Sequence, residues 1–143
     1  MVTLDEVKKA LNVDEPDYVE IANKFGEQAL PHLKEIAKSD DILLASKAVY
    51  LSGEISNNNI SVDIMNEASK NDKPEIQIAA IAALDTLLKK TTDAQSINVT
   101  SINDMLNSLK NDQDPGVKKL VNRVMNSSGD KLSSTGDTKS PPP

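Results

Sequence analysis

Three segments of the sequence lie over one another without a gap: Leu44–Ile55 (LASKAVYLSGEI), Ile76–Leu87 (IQIAAIAALDTL) and Val117–Ser128 (VKKLVNRVMNSS). In that register Leu44, Ile76 and Val117 coincide, and so do Ala48, Ala80 and Val121. Each segment has apolar residues at helical spacing and follows a turn that contains Asp. A unit of this kind cannot bury its apolar stripe alone, whereas stacked copies bury a continuous one. The small residue at the second shared position fits a helix crossing, where it lets two backbones approach. The offsets are 32 and 41 residues, unequal because the connection around Thr91–Asn98 is longer than that at Ser56–Asn59.

The rest of the chain supplies a partner for each of these helices. Thr3 with Glu6 fits a capping box, and Leu4, Val7 and Leu11 follow at helical spacing, which predicts a helix over 3–12. After a turn at Asp14–Asp17, Tyr18, Ile21, Ala22 and Phe25 share a face until Gly26. A third helix is predicted over Glu27–Lys38, with Pro31 in its first turn, and Asp40 or Asp41 caps the helix that carries Leu44, Ala48, Leu51 and Ile55. Ile60–Lys70 and Glu75–Lys90 form the next pair, and Val99–Lys110 with Gly116–Asn126 the last. The count is eight helices in four antiparallel hairpins joined by mostly short connections.

Gly26-Glu-Gln-Ala-Leu-Pro-His-Leu33 resembles the first-helix opening of HEAT repeats, in particular the short bacterial and archaeal type. Asn111-Asp-Gln-Asp-Pro-Gly-Val117 is similar to the Asp-Pro turn of that family, and Ala48 with Gly53, Glu54 and Ile55 to its second-helix ending. The resemblance covers about residues 26–126 and implies an all-α fold, an α-solenoid of about four antiparallel helix hairpins forming an α-α superhelix. The repeat domain is then 1–126, with 1–25 as a degenerate N-terminal capping repeat. The sequence departs from the family where Gln77 and Lys118 stand in place of the Arg that often follows the turn, and where the last helix is polar at Asn122 and Arg123. From 127 to 143 Ser, Gly, Thr, Asp, Lys and Pro dominate, and such a segment buries too little apolar surface to offset its ordering entropy, so a disordered tail is expected.

Charge narrows the function classes. The net charge is −6, with 6 Lys against 11 acidic residues in 1–56, 8 basic against 9 acidic in 57–126, and 2 of each in 127–143. Nucleic-acid affinity depends on clustered Lys and Arg, so no nucleic-acid partner is expected. The chain has no Cys and therefore neither a disulfide framework nor a thiolate nucleophile. Met1–Asn12 carries Asp5, Glu6, Lys8 and Lys9 rather than the apolar core of a secretory signal, and no run reaches the roughly 20 apolar residues of a membrane span. A cytoplasmic protein without a membrane partner is the expectation.

The residues that could carry chemistry have plainer explanations. His32 is the sole histidine, with no Ser or Asp tied to it by a recognised motif, and it reads as a partly packed helix residue. Asp112, Asp114 and Gly116 begin like a calcium loop, but Arg123 stands where the bidentate Glu would be needed, which leaves a helix cap with Pro115 in the first turn. Asp40 with Asp41, and Asp5 with Glu6, are neighbours that cap and solvate helix ends. The acceptor patterns at Asn59, Asn98 and Asn126 lack a secretion signal to give them meaning. No enzyme, metal site or cofactor is expected.

The remaining question is which surface the repeats present. In stacked hairpins the second helices line one face. Opposite their internal stripe the register places Val49, Tyr50, Ile78, Ile81, Lys119 and Arg123, an expected strip for a protein or peptide partner, apolar at its centre and basic at one end. Two other classes compete with this interaction module. One is a HEAT-like lyase or DNA-repair enzyme, which needs a polar pocket or a basic groove. The other is a structural protein that self-associates through Val117, Leu120, Val121 and Val124, its oligomeric state open.

Overall fold

Short polar side chains set the helix starts. In the computed structural model of the chain, residues 2–57, 59–90, 99–110 and 114–133 are described, 99 and 128–133 by backbone alone. Helix α1, Leu4–Leu11, begins with the expected capping box: Glu6 N donates to Thr3 Oγ1 (3.2 Å) and Thr3 N donates to Glu6 Oε1 (2.8 Å). Asp17 caps α2 (Tyr18–Phe25) through Glu20 N, and Asp41 caps α4 (Ile42–Ile55) through Leu44 N. Asn57 Oδ1 takes up the amides of Asn59 and Ile60 ahead of α5 (Ile60–Ser69). Helix α6 (Pro74–Lys90) opens on a proline whose missing donor is not needed there. Helices α7 (Val99–Leu109) and α8 (Pro115–Ser133) complete the order, with Val117 N donating to Asp114 Oδ2 (3.0 Å).

Two elements differ from the sequence-based boundaries. The helix predicted over 27–38 is a 3₁₀ turn, Gly26–Ala29, followed by α3, Leu30–Ile36, with Pro31 in its first turn. Pro31 cannot donate to a carbonyl four residues back, so the α-helical ladder starts only around it and the preceding turn stays tighter. Helix α8 also continues past Asn126 to Ser133. Its Ser127 hydroxyl donates to the Val124 carbonyl (3.4 Å), and no proline interrupts the helix before its end. The connection 91–98, the turn residues 111–113 and the tail 134–143 lie outside the described residues.

The chain is all-helical among the described residues, and the helices pack in two rows. The even helices touch in succession, α2 on α4, α4 on α6 and α6 on α8, and the odd ones do the same, α1 on α3, α3 on α5 and α5 on α7. The contacts α3–α4, α4–α5, α5–α6 and α7–α8 join the rows. Core residues come from both: Leu30, Leu33, Ile64, Met65, Ile102 and Leu106 from the odd row, and Leu51, Ile76, Leu84, Leu87 and Val121 from the even row. Each such side chain contributes about 1.5–3 kcal/mol by leaving water, so burial rather than the exposed ion pairs Lys34–Asp63 (2.8 Å) and Lys38–Glu67 (3.9 Å) holds the rows together.

Helices α4 and α6 meet most closely. A Cβ placed on Gly53 would lie 2.6 Å from both Cα and O of Ala83, so this glycine is required by the approach of one backbone to another. Glu54 beside it pairs with Lys90 across the same seam (2.8 Å). At the next seam the position of a Gly116 Cβ lies 3.8 Å from Ile78 Cδ1, which places the first turn of α8 level with the first turn of α6.

Candidate interaction surface

Two of the six residues expected on the partner strip are core residues. Val49 and Ile81 are both 0 % exposed, so neither can present atoms to a partner in this structure. The reason is lateral packing within the even row. Val49 precedes Gly53 by one turn and shares the flank that meets α6, while Ile81 follows Ile78 by one turn on the flank that meets α8. The equivalent register position in α8 is Asn122, which is exposed and has no further helix beside it among the described residues.

The other four lie on the outward side. Tyr50 and Ile78 are half-buried against the core, and Lys119 and Arg123 are exposed. The close contacts fix their relative heights. Tyr50 is three residues before Gly53 and therefore level with about residue 80 of α6, while Lys119 is three residues after Gly116 and level with about residue 81. Tyr50, the outward face of α6 near Ile78 and Ala82, and Lys119 thus form one row across three helices. Arg123 follows one turn further on. No ion pair joins Lys118, Lys119 or Arg123 to another described residue, and no acidic residue occurs between Pro115 and Ser127.

The sequence pattern missed the most exposed part of this face. Leu43 is 66 % exposed, although it lies two turns before Tyr50 on the same side of α4. Next to it, Lys47 buries its stem and donates from Nζ to the carbonyl of Val13 in the α1–α2 connection. That bond holds Val13 against α4, and Val13 and Val19 are 49 % and 54 % exposed. Tyr18 stacks on Tyr50 with ring centroids 5.8 Å apart and planes inclined by 42°. The wheel position of Leu43 relative to Tyr50 was the available signal, hidden by its place in the run Ile42-Leu43-Leu44, where all three residues look alike.

Burial shapes the chemistry of the aromatic pair. Desolvation pushes the Tyr18 phenol up to about 12, with the neighbouring Tyr50 adding to the effect, and burial likewise raises Tyr50. Both therefore remain neutral at ordinary pH and present hydroxyls that can donate and accept. In α4 Ser46 Oγ and in α6 Asp85 Oδ1 are buried without a hydrogen-bond partner, although Asp85 Oδ2 pairs with Lys89 (3.0 Å). Such atoms forgo about 1–3 kcal/mol that a contacting donor or acceptor would restore.

The remaining candidates are structural. His32 Nε2 donates to the Val2 carbonyl (3.0 Å) and Gln28 Oε1 accepts from Val2 N (3.2 Å), so together they strap the start of the chain onto the 3₁₀ turn and α3. Beside this strap lies an open, mostly apolar cleft of about 570 Å³ lined by Val2, Thr3, Leu4, Gln28, Pro31 and His32. Asp114 is the cap that the rejected calcium reading left for it, and Asp112 lies outside the described residues. Val117, Val121 and Val124, offered as a self-association stripe, are buried within the molecule, with Leu120 half-buried at its edge. Among the described residues no group of three His, Asp or Glu side chains is placed to hold a metal, and no helix is long and apolar enough to cross a membrane.

No family model matches the chain, and no curated protein matches it either.

Proposed function

We propose that this chain is a HEAT-like helical-repeat interaction module, in which the hairpins stack as a short α-solenoid and the outward face of the even helices receives a protein or peptide. The observation that carries this reading is Leu43. Helix α4 buries most of its length, yet it leaves this large apolar side chain two-thirds exposed, two turns before Tyr50 on the same side. A contiguous apolar patch rimmed by polar groups is the usual form of a recognition site. The partner strip becomes Leu43, Tyr50, Ile78, Lys119 and Arg123.

Affinity capture from the native cell tests it, with the full chain and its Leu43→Asp variant run in parallel and partners identified by mass spectrometry. Leu43 is exposed, so the variant folds. A partner retained by the parent and by a Glu35→Lys control on the odd row, but lost by Leu43→Asp, is the expected outcome. An identical set of partners for all three chains removes this surface from the function.

A further inference from the structure

We infer that the even-helix face takes an extended acidic peptide segment, with one large apolar anchor at the α4 end and carboxylates six to seven residues away at the α8 end. This rests on the interaction-module reading and adds the partner's charge, spacing and direction. The charge follows from the distribution of ion pairs. On α4 and α6 Glu54 is matched with Lys90 and Asp85 with Lys89, and Glu75 in the first turn of α6 is exposed with no ion pair to a described residue. On α8 the cations are unmatched: Lys118, Lys119 and Arg123 are exposed, and no described residue pairs with any of them. A protein of net charge −6 that keeps an all-basic, uncompensated stretch at one edge of an apolar face holds a local complement for an anionic side chain.

The spacing follows from helix geometry. Neighbouring helix axes lie about 8–10 Å apart, so α4 to α8 spans roughly 16–20 Å. Leu43 lies about eight residues, or roughly 12 Å, from the height of Lys119, so the oblique path is roughly 20–23 Å, which an extended chain advancing about 3.3 Å per residue crosses in six or seven residues. Its path runs from Leu43 over Ile78 towards Lys119. An apolar side chain settles against Leu43. Carboxylates then reach Lys119 and Arg123.

Selection of random twelve-residue peptides displayed on phage, against the immobilised full chain, tests the assignment. Enriched sequences are expected to carry an aromatic or large aliphatic residue and, six or seven positions away, Asp or Glu. A labelled peptide of the enriched sequence should bind at least tenfold more weakly to Lys119→Glu/Arg123→Glu and weaken as salt rises. Selection on that double variant should yield Lys or Arg at the same spacing while keeping the anchor. Enrichment that lacks acidic residues, or is unchanged by charge reversal, overturns the charge assignment. If those same peptides are lost on Leu43→Asp, the interaction-module reading still stands. No peptide whose binding depends on Leu43 overturns that reading as well. Binding of anionic lipid vesicles or a single-stranded oligonucleotide that the charge reversal abolishes, with no peptide enriched, overturns the peptide in favour of another anion.

Discussion

Replacing Gly53 with Ala tests the packing of the even row at its tightest point. In an ordinary helix interior this exchange stabilises by about 1 kcal/mol, because alanine loses less backbone freedom than glycine. Here the new methyl would stand 2.6 Å from Cα and O of Ala83 and 2.7 Å from its Cβ, against an ordinary contact of 3.4 Å or more. The shortfall is therefore about 0.8 Å, and two of the three atoms are backbone, which no rotamer change can move aside. Relief requires α4 and α6 to separate along a seam that includes Val49 and Ala79. A gap of 0.5–1 Å forfeits roughly a quarter to a half of each contact's attraction. Overpacking of this kind costs about 3 kcal/mol at the upper end of its range, and subtracting the propensity gain leaves a net loss of about 2 kcal/mol.

Urea denaturation followed by circular dichroism measures the loss, which should appear as a lower midpoint with an unchanged slope. The melting temperature should fall by roughly 8 °C. Gly116→Ala is the control. Its nearest obstacle is Asp114 Oδ2 at 3.1 Å, a capping side-chain atom that needs to give only a few tenths of an ångström, so the change should lie within about 0.5 kcal/mol of the parent. If Gly53→Ala matches or exceeds the parent in stability, the close approach of α4 to α6 is wrong, and with it the heights assigned to Tyr50 and Lys119.

Alkaline pH should destabilise the fold through the tyrosine pair. An unfolded phenol releases its proton near 10.0 while that of Tyr18 holds its own to about 12, so the folded state binds more protons in this window and stability falls from pH 10 towards 12. Denaturation midpoints across that range, read beside a 295 nm absorbance titration, should flatten in Tyr18→Phe. Leu84→Ala, at 0 % exposure in α6, should cost about 2–5 kcal/mol in the same urea assay. Thr3→Ala removes the capping box and should cost about 1 kcal/mol, with earlier amide exchange confined to α1. Asn122→Ile gives α8 the apolar flank that Val49 and Ile81 give α4 and α6, but with no helix to cover it. Sedimentation velocity should therefore show concentration-dependent association absent from the parent.

Much of the fold was legible because capping and periodicity act locally. The Thr3–Glu6 box, the Asp17 and Asp41 caps, and the apolar spacing of 44–55 and 76–87 each concern residues within a few turns of one another. The 3₁₀ turn before Pro31 was less legible, since the sequence says that a proline belongs in a first turn but not how the preceding turn closes. The surface was legible only in part. A wheel separates inside from outside for a helix packed on one face, but α4 and α6 are packed on three. The flank residues Val49 and Ile81 point away from the internal stripe and are still covered, by α6 and α8 respectively. Leu43 shows the reverse error. Two apolar neighbours disguised a residue that periodicity places outside.

That pairing of errors bears on how the chain uses its surface. A row of helices must cover the flank of each member with the next, which consumes apolar residues at positions such as 49 and 81, whereas Asn122, with no described helix beside it, is polar and exposed. Val49 and Ile81 are set by stacking alone. Exposed apolar residues on the outward face meet no such demand, for nothing in the packing of α4 requires a leucine at 43, and a polar residue there would avoid leaving apolar area in water at about 25 cal/mol per Å². The basic edge of α8 is equally unneeded by the fold, since its three cations compensate no described carboxylate. The proposed ligand, apolar at one end and anionic at the other, would relieve both departures together.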